Sequence, residues 1–155
     1  INLVGEPERT RSRYAVVKMT GYDSPISLRS LGEGMNRMFG IALALVNSQG
    51  GLLLIDEIES GLHYSVQSDL WRLIFQIASR LDVQVVATSH SWDCIEAFQK
   101  AAQEFSEGQA HMKLQNNTIS EGVLIRLESK NDEVNATLFD TRRLSIATRE
   151  QIEVR

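Results

Sequence analysis

Two acidic residues, Asp56 and Glu57, directly follow a run of four apolar residues, Leu52–Ile55. A continuous apolar run of this length is typical of a strand that is buried on both faces of a parallel sheet. Ligands of such sheets bind beyond the carboxyl ends of the strands. Asp56 can orient a water of hydrated Mg²⁺, which prefers oxygen ligands, and Glu57 can orient or deprotonate an attacking water. The alternative is an acid pair that only caps the following turn.

A second segment, Val83–Thr88 (VQVVAT), predicts another buried strand, and it brings Ser89 and His90 to the same edge of the sheet. A histidine in that position can hydrogen-bond a phosphate or an attacking water. Taken alone, His90 is more simply interpreted as a structural histidine. His90 lies at the end of the next predicted strand after the one that ends in Asp56 and Glu57, and this position favours a functional role.

The third candidate is the segment Ser30–Gly34, at the start of a predicted helix. Glycines at a helix start allow backbone N–H groups to approach an anion, and the helix dipole favours negative charge there. Ser30 followed by Glu33 also fits a capping box, in which both residues only stabilise the helix end. The segment alone does not decide between these two interpretations.

Periodic apolar residues predict the elements that position these segments. One helix is predicted to begin within Ser30–Gly34 and to end at Asn47, and two more cover Tyr64–Leu81 and Ser91–Phe105. A strand is predicted over Tyr14–Met19. Strand and helix alternate along this part of the chain. That order implies right-handed βαβ crossovers and a parallel sheet.

The C-terminal part has a different pattern. Short strands separated by polar turns are predicted at Met112–Leu114, Gly122–Leu127 and Val134–Phe139, followed by a helix over Thr141–Thr148. We therefore expect an α/β fold with a parallel β-sheet core, flanking helices and a C-terminal antiparallel meander. The expected organisation is one lobe over residues 1–155: a ragged boundary at 1–13, the α/β core at 14–110, and the antiparallel tail with its terminal helix at 111–155.

Length and composition exclude several classes of protein. The 155 residues suit about one domain, and a net charge of −4 does not indicate a general polyanion-binding surface. A single cysteine, Cys94, excludes an internal disulfide framework and a multi-cysteine zinc site. No apolar run is long enough for a membrane helix, and the N-terminal residues lack the basic-then-apolar pattern of a signal peptide. We expect a cytoplasmic protein without a membrane partner.

Taken together, the three segments resemble one family. Ser30–Leu45 (SLGEGMNRMFGIALAL) resembles a signature helix, Leu52–His63 (LLLIDEIESGLH) resembles a Walker B strand with its D-loop, and Val85–His90 (VVATSH) resembles a switch-histidine strand. The order is similar to that in the C-terminal half of an ABC-type ATPase domain. The closest branch contains the SMC, RecF and overcoming-lysogenisation-defect (OLD) proteins and related AAA-type defence ATPases.

The resemblance implies a role for each residue of the strand ends. Asp56 would help to hold Mg²⁺, Glu57 would be the catalytic base, and His90 would sense the γ-phosphate of ATP. Glu59–His63 would lie at a dimer interface. The fold implied is the C-terminal lobe of a P-loop NTPase.

The resemblance also implies an ATP-sandwiched homodimer. The signature residues Ser30, Gly32, Glu33 and Gly34 would bind the nucleotide held by the opposite protomer. The segment departs from the usual LSGGQ sequence: Leu31 falls where the phosphate-contacting serine would be, and Ser30 stands one position earlier.

The full sequence contains no G-x-x-x-x-G-K-[ST] segment. A P-loop of that pattern supplies most phosphate contacts and the hydroxyl that binds Mg²⁺. We therefore expect that the chain, which begins at Ile1, is a fragment whose N-terminal P-loop lobe is missing, and that it binds ATP poorly alone.

Two alternative functions stay open. Asp56, Glu57 and Glu59 could hold metal ions in a metal-dependent nuclease, and the lobe could be a non-catalytic dimerisation or binding module. DNA or a defence-system protein are candidate partners, and the process that ATP hydrolysis would drive is not apparent from the sequence. A Ser89–His90–Asp93 hydrolase is disfavoured, because adjacent Ser and His residues do not easily face one another and no G-x-S-x-G elbow is present.

Overall fold

A computed structural model of the chain consists of two compact units, Ile1–Ile41 and Ala42–Arg155. Each unit is described separately. The prediction of a single lobe over residues 1–155 stays a prediction. The structure describes residues 2–5, 13–110, 122–130 and 133–150.

The first unit contains a small antiparallel sheet in the order β1-β2-β3. β1 is Asn2–Gly5, β2 is Arg13–Val17 and β3 is Ile26–Ser27. A 3-10 helix over Leu28–Leu31 follows β3 and leads into helix α1, Glu33–Asn47, whose first residues belong to this unit.

β1 differs from the sequence prediction, which treated residues 1–13 as a ragged boundary. Its backbone pairs with β2 from Asn2 opposite Val16 to Gly5 opposite Arg13. The polar segment Glu6-Pro7-Glu8 within this range lies outside the described residues. The chain before that segment forms a strand because it can pair with a neighbouring strand of β-forming residues.

The second unit is built around a parallel pair of strands. β4 is Leu52–Ile55 and β5 is Gln84–Ala87, and they pair in register from Leu52 opposite Gln84 to Ile55 opposite Ala87. Helix α2, Tyr64–Leu81, connects them, and helix α3, Trp92–Ala110, follows β5. The predicted parallel arrangement of the two strands is confirmed.

Helices α2 and α3 pack together through aromatic rings. The Trp71 and Phe98 rings are 4.9 Å apart edge to face, and Phe75 stacks with Phe98 and Phe105 at 5.7 and 5.4 Å. Trp71 is buried, and the partly buried Trp92 packs against the core. No helix within the described residues has the length and apolar character needed to cross a membrane.

The C-terminal part of this unit is a hairpin followed by a helix. Strands β6, Leu124–Lys130, and β7, Glu133–Phe139, pair antiparallel, and helix α4 covers Thr141–Arg149. Leu144 of α4 is fully buried and packs with Ile95 of α3. The hairpin is part of the predicted meander; the strand predicted at Met112–Leu114 lies outside the described residues.

The prediction that β4 and β5 are buried on both faces is wrong for one face. Leu52, Leu54 and Val86 are 53%, 69% and 49% exposed, whereas the alternate residues point inward. The two strands pair only with each other within the described residues. No neighbouring element of the described chain therefore covers this apolar face.

Candidate functional site

The ends of β4 and β5 are joined by a network centred on Thr88. The Thr88 hydroxyl donates a hydrogen bond to Oδ1 of Asp56 (2.5 Å) and accepts one from the backbone N–H of Glu57 (2.8 Å). The Thr88 carbonyl accepts from the N–H of Ile58 (3.1 Å), and its N–H donates to the carbonyl of Ile55 (2.9 Å). The strand pairing thus continues past β4 and holds the two acids at the sheet edge.

Glu57 has a left-handed backbone conformation, with φ at 44°. A non-glycine residue in this region costs on the order of 1–2 kcal/mol relative to its preferred conformations. This conformation is maintained by two hydrogen bonds to Thr88, one from the N–H of Glu57 and one from the N–H of Ile58. The fully buried side chain of Ile58 anchors the same segment. Strain that is held by its surroundings in this way is a common property of functional sites.

The segment after β5 brings His90 to the same edge. The N–H of His90 donates to Oε1 of Glu59 at 2.8 Å. Since His90 is two residues after Thr88, the Cα atoms of these residues are at most about 7.6 Å apart. Asp56, Glu57 and the backbone of His90 therefore meet at the carboxyl edge of the parallel pair, as the sequence predicts.

Ser89 takes part in the start of α3. Its hydroxyl accepts from the N–H of Ser91 (3.2 Å), and the Ser91 hydroxyl accepts from the N–H of Cys94 (3.4 Å). These local bonds satisfy donors at the beginning of a helix. They give Ser89 a structural function and offer no support for a Ser89–His90–Asp93 hydrolase.

The segment between β4 and α2 is a sequence of tight turns. The N–H of Ser60 donates to the carbonyl of Glu57 and that of Leu62 donates to Glu59, both at 2.9 Å. His63 caps α2, since its Nδ1 accepts from the N–H of Ser65. A dimer-interface role for Glu59–His63 stays a prediction.

The signature-like segment Ser30–Gly34 belongs to the first unit, whereas Asp56 and Glu57 belong to the second. Ser30 lies inside the 3-10 helix, and Gly32 ends it with φ at 96°, a conformation that favours glycine. The carbonyl of Gly32 accepts from the N–H of Asn36 at the start of α1, and Glu33 and Gly34 form the first turn. Gly32 thus takes the N-cap position of α1. A capping box would need a serine at that position, but Ser30 lies two residues earlier.

The acids at the edge provide few ligands for a metal ion. Among the residues that the structure describes, no three His, Cys, Asp or Glu side chains converge on one point. Mg²⁺ commonly takes one or two carboxylates and completes its shell with water and substrate phosphates. Asp56, exposed at the strand end, fits that requirement but not a metal cage made by protein groups alone.

Two residues of this site were missed by sequence reasoning. Thr88 was considered only as the last residue of a strand, and Glu59 only as a part of the interface segment or as a nuclease ligand. A polar residue at the end of one parallel strand, beside the acidic end of its neighbour, is a signal for Thr88. The position of Glu59 depends on the path of the turns, for which the sequence has no comparable signal.

Comparison with known families relates the chain to ATPases. Residues 20–93 match the family model "AAA domain, putative AbiEii toxin, Type IV TA system". The matched segment contains the signature-like helix, the acidic strand end and His90. No curated protein matches the chain.

A solved structure shares the fold. It comes from work on the structural biochemistry of ATP-driven dimerization and DNA stimulated activation of SMC ATPases, with a TM-score of 0.60 and 10% identity over 99% of this chain and 81% of that one. At this identity the similarity concerns the fold alone. The similarity to an AAA domain comes from the family match over residues 20–93.

The network at the strand ends predicts a specific effect of replacing Thr88. Thr88→Val keeps the shape of the side chain but removes the hydroxyl that links Asp56 and Glu57. We expect the free energy of unfolding to fall by about 1 kcal/mol, while Thr88→Ser stays within about 0.5 kcal/mol of the original. Urea denaturation of both variants measures this, and equal stability of the valine and serine variants would contradict the network.

The left-handed conformation of Glu57 predicts that glycine is favoured there over alanine. Glu57→Gly should be more stable than Glu57→Ala by about 1 kcal/mol, because only alanine retains the steric penalty. The same order is expected at Asp82, which ends α2 with φ at 54°.

Glu96, in the helix α3, is the matched control. There glycine should be less stable than alanine by about 1 kcal/mol. Thermal unfolding of the six variants compares the signs. A glycine variant of Glu57 that is less stable than its alanine counterpart, as at Glu96, would rule out the left-handed backbone.

Proposed function

We propose that this chain is the signature, Walker B and switch-histidine portion of a dimeric ATPase that binds and hydrolyses ATP. The observation that carries the proposal is the meeting of Asp56, Glu57 and the His90 backbone at the carboxyl edge of two parallel strands. Ligands bind at this edge in open α/β sheets. The family match over residues 20–93 supports the same class of activity.

We propose a different task for each acid. Asp56, held by the Thr88 hydroxyl, is the residue that would hold hydrated Mg²⁺ next to the phosphates of ATP. Bound Mg²⁺ would neutralise charge that develops on the phosphates during transfer. Glu57 orients the attacking water and accepts its proton, and His90 donates a hydrogen bond to the γ-phosphate oxygen.

The proposal requires a phosphate-binding loop from a polypeptide outside these 155 residues, because their sequence contains no G-x-x-x-x-G-K-[ST] segment. We propose that it belongs either to the rest of a longer chain, N-terminal to this part, or to a partner protein. The exposed apolar face with Leu52, Leu54 and Val86 supports this, since such a face is stabilised when further structure covers it. The chain alone should bind ATP poorly.

We further propose that two copies close around ATP. The start of α1, with Ser30, Gly32, Glu33 and Gly34, would then face the nucleotide of the opposite protomer. ATP-driven dimerization is a property of the SMC ATPases with the similar fold, and so is activation by DNA. By the same comparison DNA is a candidate partner here, and a defence-system protein is another candidate from the family resemblance.

The contacts of Glu59 argue against a two-metal nuclease. Its Oε1 accepts from the backbone of His90, and its Oε2 is buried. A two-metal site needs several carboxylates that face the same pair of ions. The inward position of Glu59 leaves Asp56 and Glu57 without the third acid that this alternative requires.

The proposal is tested by Glu57→Gln in the polypeptide that includes the P-loop. Glutamine can still orient a water but cannot take its proton, so the variant should bind ATP with unchanged affinity and lose at least about 100-fold in turnover. ATP binding and phosphate release measure the two effects. Glu133→Gln, in the exposed strand β7, is the matched control and should keep full turnover.

Three outcomes would contradict the proposal. Full turnover by Glu57→Gln would remove Glu57 as the base. DNA cleavage that needs Mg²⁺ and no ATP would instead support the nuclease, and ATP-independent dimerisation without turnover in the original sequence would support the non-catalytic module.

A further inference from the structure

Glu59 forms a connection between the two segments that follow β4 and β5. Its Oε1 accepts a hydrogen bond from the N–H of His90 at 2.8 Å, although the two residues are 31 positions apart in the chain. The bond is charge-assisted, because the acceptor is a carboxylate, and such bonds are stronger than those between neutral groups. The segment that contains His90 is therefore attached to the turn that contains Glu57.

The carboxylate of Glu59 is turned toward the protein interior. Its Oε2 is buried and makes no hydrogen bond with any described residue. Burial raises the pKa of the neighbouring Cys94 thiol, and the Glu59 carboxylate contributes in the same direction. Burying part of a charged group is costly. The inward position of the Glu59 carboxylate therefore needs a compensating interaction, and the hydrogen bond from the His90 N–H is one.

The turn around Glu59 gives the carboxylate a fixed starting point. Ile58 is fully buried and donates its N–H to the carbonyl of Thr88, and Leu62 donates its N–H to the carbonyl of Glu59. The backbone at Glu59 is thus held on both sides. A carboxylate that extends from it can hold the backbone of His90 at a defined distance from Asp56 and Glu57.

We propose that Glu59 is a positioning residue that holds the backbone of His90 and thereby sets the place of its imidazole at the strand edge. The assignment of a catalytic task to His90 rests on the proposed function. The hydrogen bond between His90 and Glu59 does not rest on the proposed function, because it joins two residues of this chain. The two claims are therefore tested by separate measurements.

The attachment is tested by hydrogen exchange of the His90 amide in Glu59→Ala and Glu59→Gln. Glutamine keeps an acceptor oxygen at the same reach, whereas alanine removes it. The His90 amide should exchange at least about tenfold faster in the alanine variant and within about threefold of the original in the glutamine variant. The amide of Ile74, buried in α2, reports global opening and should change little in either.

The catalytic consequence is tested by a double-mutant cycle in the polypeptide that carries the P-loop. Glu59→Ala and His90→Ala should each lower kcat at least about tenfold, and the double variant should be no slower than His90→Ala alone. Glu59→Gln should keep most of kcat. Non-additivity of this kind is expected only if Glu59 acts through His90, whereas general destabilisation would lower kcat further in the double variant.

Each result decides one claim. Unchanged exchange at His90 in Glu59→Ala, or equal acceleration at His90 and Ile74, would overturn the positioning role. Faster exchange at His90 alone, combined with no effect of His90→Ala on turnover, would support the attachment and contradict the catalytic assignment of His90. Independent, multiplying effects on kcat would overturn the claim that Glu59 acts through His90.

Discussion

The hydrogen bonds of Thr88 are the constraint on which the rest of the site depends. Parallel pairing of β4 and β5 ends at Ile55 and Ala87, and without further contacts the two following segments would diverge. The Thr88 hydroxyl and carbonyl extend the contact by three residues, to Asp56, Glu57 and Ile58. Because both strand ends are fixed in this way, two exposed carboxylates can lie beside each other at the edge of an apolar sheet.

This arrangement divides the acids into two exposed residues and one that points inward. Asp56 and Glu57 lie at the exposed edge, where a hydrated cation and an attacking water have access. Glu59 points inward and is bonded to the backbone of His90. Ile58, which is fully buried, separates Glu57 from Glu59 in the chain. The left-handed backbone of Glu57 lies within the same anchored segment, since the N–H groups of Glu57 and Ile58 both bond to Thr88.

Much of the second unit could be predicted from the sequence, because its elements have strong local signals. β4 is bounded by Gly51 and Asp56, and α2 has a regular apolar stripe, so the predicted ranges Leu52–Ile55 and Tyr64–Leu81 agree with the structure. β1 and the exposed face of β4 could not be predicted, since both depend on which segments are available as neighbours. The contacts of Thr88 and Glu59 depend on strand register and turn geometry, which residue types alone do not determine.

The central proposal is that Asp56, Glu57 and His90 lie around one bound ATP and its cation. Paramagnetic broadening of amide signals by Mn²⁺ and ATP, compared with Mg²⁺ and ATP, tests it most directly in the polypeptide that carries the P-loop. We expect that residues 56–57 and 88–90 lose their signals first, while the hairpin strand Glu133–Phe139 keeps them. Broadening that leaves both strand ends unaffected, or that is strongest in the hairpin, would contradict it.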